Sequence, residues 1–251
     1  MKTSTDIYTA RSSDMRLYTS YTESHRPLLC EFFMPSLLPD EYLLTVRQFK
    51  QSTPTGSIKE DDGFAETVRE RTQMCIDAVR TAQAEGDEYF VHADCDLQFF
   101  ARTRDTLVEM MQEGYDLIAQ NDYRRGFRPK DGKPRLCTGF YICRASDTML
   151  AVFEEMLQLI RPGFNDQHAL NAVKTPFRAR ALGNRFFSVR QPWRPGLPLR
   201  IPRRIVLHHA NWTVGITNKL IMMNQVRNAV WLRRGFALLN QYQKLNGVTN
   251  E

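Results

Sequence analysis

Hydrophobic and polar positions along this chain follow two rhythms, one with a period of two residues and one with a helical period. Residues 15–22 (MRLYTSYT) alternate as a strand does, and residues 42–49 (YLLTVRQF) form a second run rich in β-branched and aromatic side chains. Between them, RPLLCEFFMPSLL (26–38) has helical spacing. A loop with Pro54, Gly56 and Gly63 follows. From residue 64 to about 84, Val68, Cys75, Ile76 and Val79 recur at helical intervals, and Gly86 is placed to stop that helix. Strand YFVHA (89–93) comes next, and then a helix over 103–113 that ends at Gly114. DLIAQND (116–122) and TGFYICR (138–144) predict two more strands. Helices are predicted over 147–160, stopped by Pro162 and Gly163, and from near Asp166. Strand RRIVLHH (203–209) and an amphipathic helix over 218–242 complete the pattern.

Strands that alternate with helices predict an α/β layer architecture with a mainly parallel central sheet flanked by helices. No internal repeat or low-complexity block interrupts it. A single domain over 1–251 is expected, with residues 1–14 as an extension at one end and helical residues 218–245 at the other. In such sheets ligands gather at the carboxyl ends of the strands. Asp94 and Asp96 stand at that end of their strand, so they are the first place to look for chemistry.

Composition narrows the class. Hydrophobic residues make up 42% and charged residues 25%, which suits a globular domain. No apolar run of about 18 residues is present, so a membrane-spanning helix is not expected. The first residues, MKTSTDIYTARSSDMR, are polar and lack the apolar centre of a signal peptide; the expectation is a cytoplasmic protein. Five scattered cysteines without a CxxC read as buried thiols rather than as a disulfide scaffold or zinc site. The net charge is +6, and eight arginines with no acid lie between 178 and 204. That stretch suits a polyanion, a phosphate-bearing ligand or an anionic membrane face, or it is a solvated loop; charge alone does not choose.

In the stretch YFVHADCDLQFF (89–100), period-two alternation puts His92, Asp94 and Asp96 on one face if the strand stays extended. Two carboxylates there make a hard-oxygen site for Mn2+ or Mg2+. The bland alternative is a pair of exposed loop aspartates. An EF-hand starting at Asp94 fails, because Phe99 stands where Gly is needed and Asp105 where Glu is needed. A haloacid-dehalogenase pattern fails at Gln98.

The stretch FVHADCDLQFF resembles the DxD segment of nucleotide-diphospho-sugar glycosyltransferases with the GT-A fold. Three further segments resemble that family in order. They are CTGFYICR with Gly139, FNDQHALN with Asp166, Gln167 and Asn171, and VLHHANWTVGITNK with His209, Asn211, Gly215 and Lys219. The similarity runs from about residue 15 to 219. It departs from the family where Cys137 and Thr138 replace the Asn and Ala of the "NAG" strand. The resemblance implies a Rossmann-like nucleotide-binding half and a metal-dependent transfer of sugar from a nucleoside-diphosphate donor, UDP above all, to an acceptor hydroxyl on a glycan. It implies Asp96 and His209 as principal ligands of Mn2+ or Mg2+, with Asp94 as a ligand or a ribose contact. Lys219 would meet the diphosphate, while Arg71 and Gly139 lie toward the donor. Thr19, Ser20 and Tyr21 would line the base and ribose, and Asn121 and Asp122 would contact sugar. Asp166 and Gln167 would lie nearest the reacting sugar, with Asp166 either base or donor contact; it is also well placed as a helix cap, and both roles could coexist. The loop 123–135 and the arginine stretch would frame the acceptor. No nucleic acid is expected as a partner, and at most peripheral membrane contact through the last helix. The rival readings are a nucleotidyltransferase that makes nucleotide sugars, which would want a glycine-rich loop after the first strand, and a basic nucleic-acid-binding module.

Overall fold

The computed structural model of the chain describes residues 5–8, 15–50, 62–122, 135–189 and 192–245. The loop with Pro54 and Gly56, and residues 123–134 of the basic loop, lie outside these. The first elements are β1 (Thr5–Tyr8) and β2 (Arg16–Tyr21). The helical segment predicted next is a series of short turns: a 3-10 turn (Glu23–His25), α1 (Arg26–Leu28), a π turn (Leu29–Phe33) and α2 (Met34–Ser36). After β3 (Leu43–Gln48) comes the long helix α3 (Asp62–Glu85), and Gly86 follows it at φ 79° as a stop requires. Then come β4 (Tyr89–Asp94), β5 (Leu97–Phe99), α4 (Arg104–Met111), β6 (Leu117–Asn121) and β7 (Leu136–Arg144). The chain continues through α5 (Asp147–Leu159), α6 (Asp166–Leu170), β8 (Ala179–Ala181), β9 (Phe186–Ser188), β10 (Leu207–His209) and α7 (Ile216–Leu245).

Seven strands form one sheet in the order β1-β3-β2-β4-β7-β6-β8. Strands β3, β2, β4, β6 and β8 run the same way, while β7 and the edge strand β1 are reversed. The expected α/β architecture with a mainly parallel sheet is therefore present. Central strands β4 and β7 are buried along nearly their whole length, which is why they read as continuous apolar runs rather than alternating ones. Tyr89, Val91 and Ala93 pack on one face, and Phe90 on the other, against Val79 of α3 and Phe153 of α5. His92 and Asp94 share the parity of Phe90 and so face the layer of α3, α5 and α6. Ser146 caps α5 by accepting from the Met149 amide at 3.3 Å, a contact worth about 1 kcal/mol.

Three features were not anticipated. Residues 5–8 add an edge strand, pairing with β3. The arginine stretch contains β8 and β9, and Arg178 and Arg180 are committed to the fold: the Arg178 amide donates to Asp116, and Arg180 pairs with Glu113 at 2.6 Å. Most important, the strand carrying the aspartates does not stay extended. It ends at Asp94, turns through Cys95 and Asp96, and re-enters as β5 of a second, three-stranded sheet, β5-β10-β9.

Candidate active site

That turn explains how residues far apart in sequence meet. Strand β10 pairs antiparallel with β5, placing His209 opposite Leu97, and the Ala210 amide donates to the Asp96 carbonyl at 3.0 Å. His209 Nε2 thereby lies 3.3 Å from Asp96 Oδ1 and 3.8 Å from Asp94 Oδ2. Ligand atoms of Asp94, Asp96 and His209 all fall within 4.8 Å of one another. Two hard oxygens and one imidazole are a donor set that fits Mn2+ or Mg2+.

The ring is aimed from behind. Its Nδ1–H donates to Gln120 Oε1 at 2.9 Å, while the Gln120 amide donates to the Phe186 carbonyl at 3.4 Å, which fixes the way the amide points. Nε2 is therefore the nitrogen presented to the carboxylates. Room for the ring comes from a bulge in β7: Ala119 pairs with Tyr141 but Gln120 with Cys137, which leaves residues 138–140 as the excess. Gly139 lies in that bulge directly against the imidazole, and a Cβ there would be 2.1 Å from His209 Cε1. The position predicted from the family glycine is thus explained by the ring it admits. Gln120 was missed at the sequence level. The signal was a polar residue within the apolar run DLIAQ, at full burial.

Charge balance holds the site together. Lys219 Nζ donates to Asp96 Oδ2 at 2.5 Å, and Arg71 spans Asp94 Oδ1, at 2.5 Å, and Asp166 Oδ2. Burial alone would raise Asp96, but Lys219 and His209 hold its carboxyl well below the usual range. Burial likewise opposes protonation of His209, yet Asp96 raises it to about 10. Asp94 is depressed in the same way, with Arg71 and the His92 contact overcoming its burial. Neighbouring His208 is a core residue: its Nδ1 accepts from the Gln98 amide at 2.9 Å, the ring stacks on Phe187, and burial lowers it to about 3.

Replacing Arg71 by Met should leave two largely buried carboxylates without the cation they share. Urea denaturation is expected to show a loss of about 3–5 kcal/mol; a loss below about 1 kcal/mol would mean that the bridge is dispensable.

The remaining predicted residues form a second hub. Asp122 Oδ1 accepts from Asn211 at 2.9 Å and Trp212 Nε1 at 2.8 Å, and its Oδ2 accepts from Gln167 at 2.6 Å. Burial raises the Asp122 carboxyl despite these donors. Asp166 is not the helix cap that the sequence suggested; Asn165 is, accepting from the His168 amide at 3.0 Å, which frees Asp166 for Arg71. Asn171 ties α6 to the start of β7 through both the amide and carbonyl of Leu136. On β2, Ser20 pairs with Asp94, Thr19 is fully buried, and the Tyr21 hydroxyl donates to Gln48 at 3.2 Å. Asn121 closes β6, half-buried beside Asp122. His25 was also overlooked. It is held by Thr22 and Ser24 at 3.0 Å each, and burial and the charge of Lys219 lower it to about 4.

Residues 50–223 match the family described as nucleotide-diphospho-sugar transferase. The chain belongs to that family, whose members are sugar-transferring enzymes. Among solved structures it is similar to a glycosyltransferase involved in the glycosylation of the major capsid of PBCV-1. That match has a TM-score of 0.53 at 10% identity and covers 84% of this chain and 99% of the other. The likeness shows a shared mixed α/β fold of GT-A type. No curated protein matches the chain.

Proposed function

We propose that this protein is a metal-dependent glycosyltransferase that moves a sugar from a UDP-sugar to an acceptor hydroxyl on a glycan, with the whole chain acting as one GT-A-like domain. The observation that carries the reading is the convergence of Asp94, Asp96 and His209 within 4.8 Å, flanked by Lys219, at the carboxyl end of β4. A divalent cation bound there would supply the positive charge that holds and neutralises the donor diphosphate. Lys219 adds a point charge to the departing diphosphate, stabilisation aimed where charge develops. Thr19, Ser20 and Tyr21 border the nucleoside, consistent with the pairing of Ser20 with Asp94. Gln167 and Asp122, bonded to each other and next to Asn121, are assigned to the transferred sugar. Asp166, nearly inaccessible and engaged by Arg71, is better suited to orienting Arg71 beside the donor than to acting as a base that must reach an acceptor.

A thermal-shift screen of nucleotide sugars with and without Mn2+ tests this. At ligand concentrations near 100 times Kd the added stability is about 2.7 kcal/mol, a rise of about 5–10 °C for a chain of this size. The reading predicts that rise for a UDP-sugar with Mn2+ and not for either alone. Equal shifts without metal would rule out the cation.

A further inference from the structure

The charge of this chain is divided unevenly. Residues 167–250 contain fourteen Lys and Arg and no Asp or Glu, so all 28 carboxylates lie elsewhere, among only 20 of the 34 cations. The same span contains four large exposed apolar side chains close together on one helix. Helix α7 packs on the domain through Met222, Met223, Val226 and Val230. Past Val230 every side chain described is exposed, and Trp231, Leu232, Phe236 and Leu238 are 59–67% accessible.

These four are not scattered. At 100° per residue they fall within an arc of about 160°. On the same wheel Arg227 and Arg234 stand just beyond one edge and Arg233 beyond the other. Arg227 lies over the Trp231 ring at 5.5 Å. Arg233 reaches the carbonyls of Ile201 and Pro202 at 3.2 Å, which places the exposed Arg200, Arg203 and Arg204 of that segment beside the helix. An apolar stripe with two aromatic residues, bordered by arginines on a helix that carries no acid of its own, has the make-up of a helix lying in a bilayer interface.

We propose that the far half of α7, with the 200–204 segment, docks this protein on an anionic lipid bilayer. Trp231, Leu232, Phe236 and Leu238 enter the headgroup and acyl boundary, while the arginines meet lipid phosphates with their stems along the apolar layer. A second copy of this chain is a poor occupant, because two such faces bring arginine against arginine and neither helix carries a carboxylate to pair them. Nucleic acid would meet the arginines but leave two leucines against water. Lys219, on the same helix, is twelve residues before Trp231, so the active site sits about 18 Å along the axis from the docking stripe.

Flotation of the full chain with vesicles tests the proposal. Vesicles of phosphatidylcholine with about 30 mol% phosphatidylglycerol should carry the protein upward at about 0.1 M salt, and neutral vesicles should not; about 0.5 M salt should release it. The pair Arg233→Glu with Arg234→Glu should lower partitioning at least about thirty-fold. Trp231→Ser with Phe236→Ser should lower it at least about tenfold. Both pairs change only exposed side chains, and an unaltered thermal midpoint confirms their folding. The proposal fails if anionic vesicles do not bind the parent, or if either pair binds as the parent does. It fails equally if the parent self-associates in sedimentation velocity and the Trp231/Phe236 pair does not.

Discussion

Asp96→Asn should reduce sugar transfer by about a thousandfold or more, because one substitution removes a ligand carboxylate and the counter-charge of Lys219 and, with no ion bound, of the protonated His209. Asp96 is 4% exposed and meets both Lys219 and His209. Alanine at this position would also leave those cations facing each other without compensation, at a cost of about 3–5 kcal/mol. Asparagine keeps the shape and separates the chemical effect from the folding effect. Initial transfer rates and thermal midpoints with and without Mn2+ are the measurements. The Asn variant should remain folded but show no Mn2+-dependent gain with the UDP-sugar. A variant that responds to Mn2+ as the parent does would remove Asp96 from the ligand set.

Gly139→Ala is expected to damage the site through a single methyl group. The glycine has no positive φ, so the backbone accepts alanine and the effect is steric. The new Cβ would be 2.1 Å from His209 Cε1, and the ring cannot retreat without breaking its 2.9 Å bond to Gln120 or its contact with Asp96. Overpacking of this kind costs about 1–3 kcal/mol. A displaced ligand and a disturbed partner behind it lower metal affinity about 10–100-fold. Urea unfolding and a Mn2+ titration followed by thermal shift read the two effects separately. Gly183→Ala, with nothing within 4 Å of its added Cβ, is the matched control and should leave both unchanged. Parental Mn2+ affinity in Gly139→Ala would show that His209 does not bind the ion.

Much of this was visible in the order of residues. The strand and helix rhythm gave the layer architecture because most elements are long enough for periodicity to show. The pairing of the double aspartate with a late histidine came from motif order, since residues 113 positions apart reveal no contact by themselves. The turn after Asp94 was hidden because Leu97, Phe99 and Phe100 are as apolar as the strand that precedes it. Only pairing with β10 pulls them into another sheet, and that is a non-local event. Strands β8 and β9, three residues each, are too short for a period to register. The cap of α6 moved by one residue, from Asp166 to Asn165, because both types cap well and burial against Arg71 decides between them. Gln120 and His25 escaped because their importance lies in what they support rather than in any motif.

The turn at Cys95 and Asp96 has a mechanical consequence. Asp94 belongs to the large sheet and His209 to the small one, with Asp96 on the link, so the cluster straddles a seam between two bodies. Phe140 of the large sheet bridges that seam by contacting Phe99, at 5.9 Å, and Phe186, at 6.0 Å, in the small one. Ring packing behind the site thus helps to set the spacing of the three polar groups, and the distance between them is a gauge of how firmly the two sheets are joined.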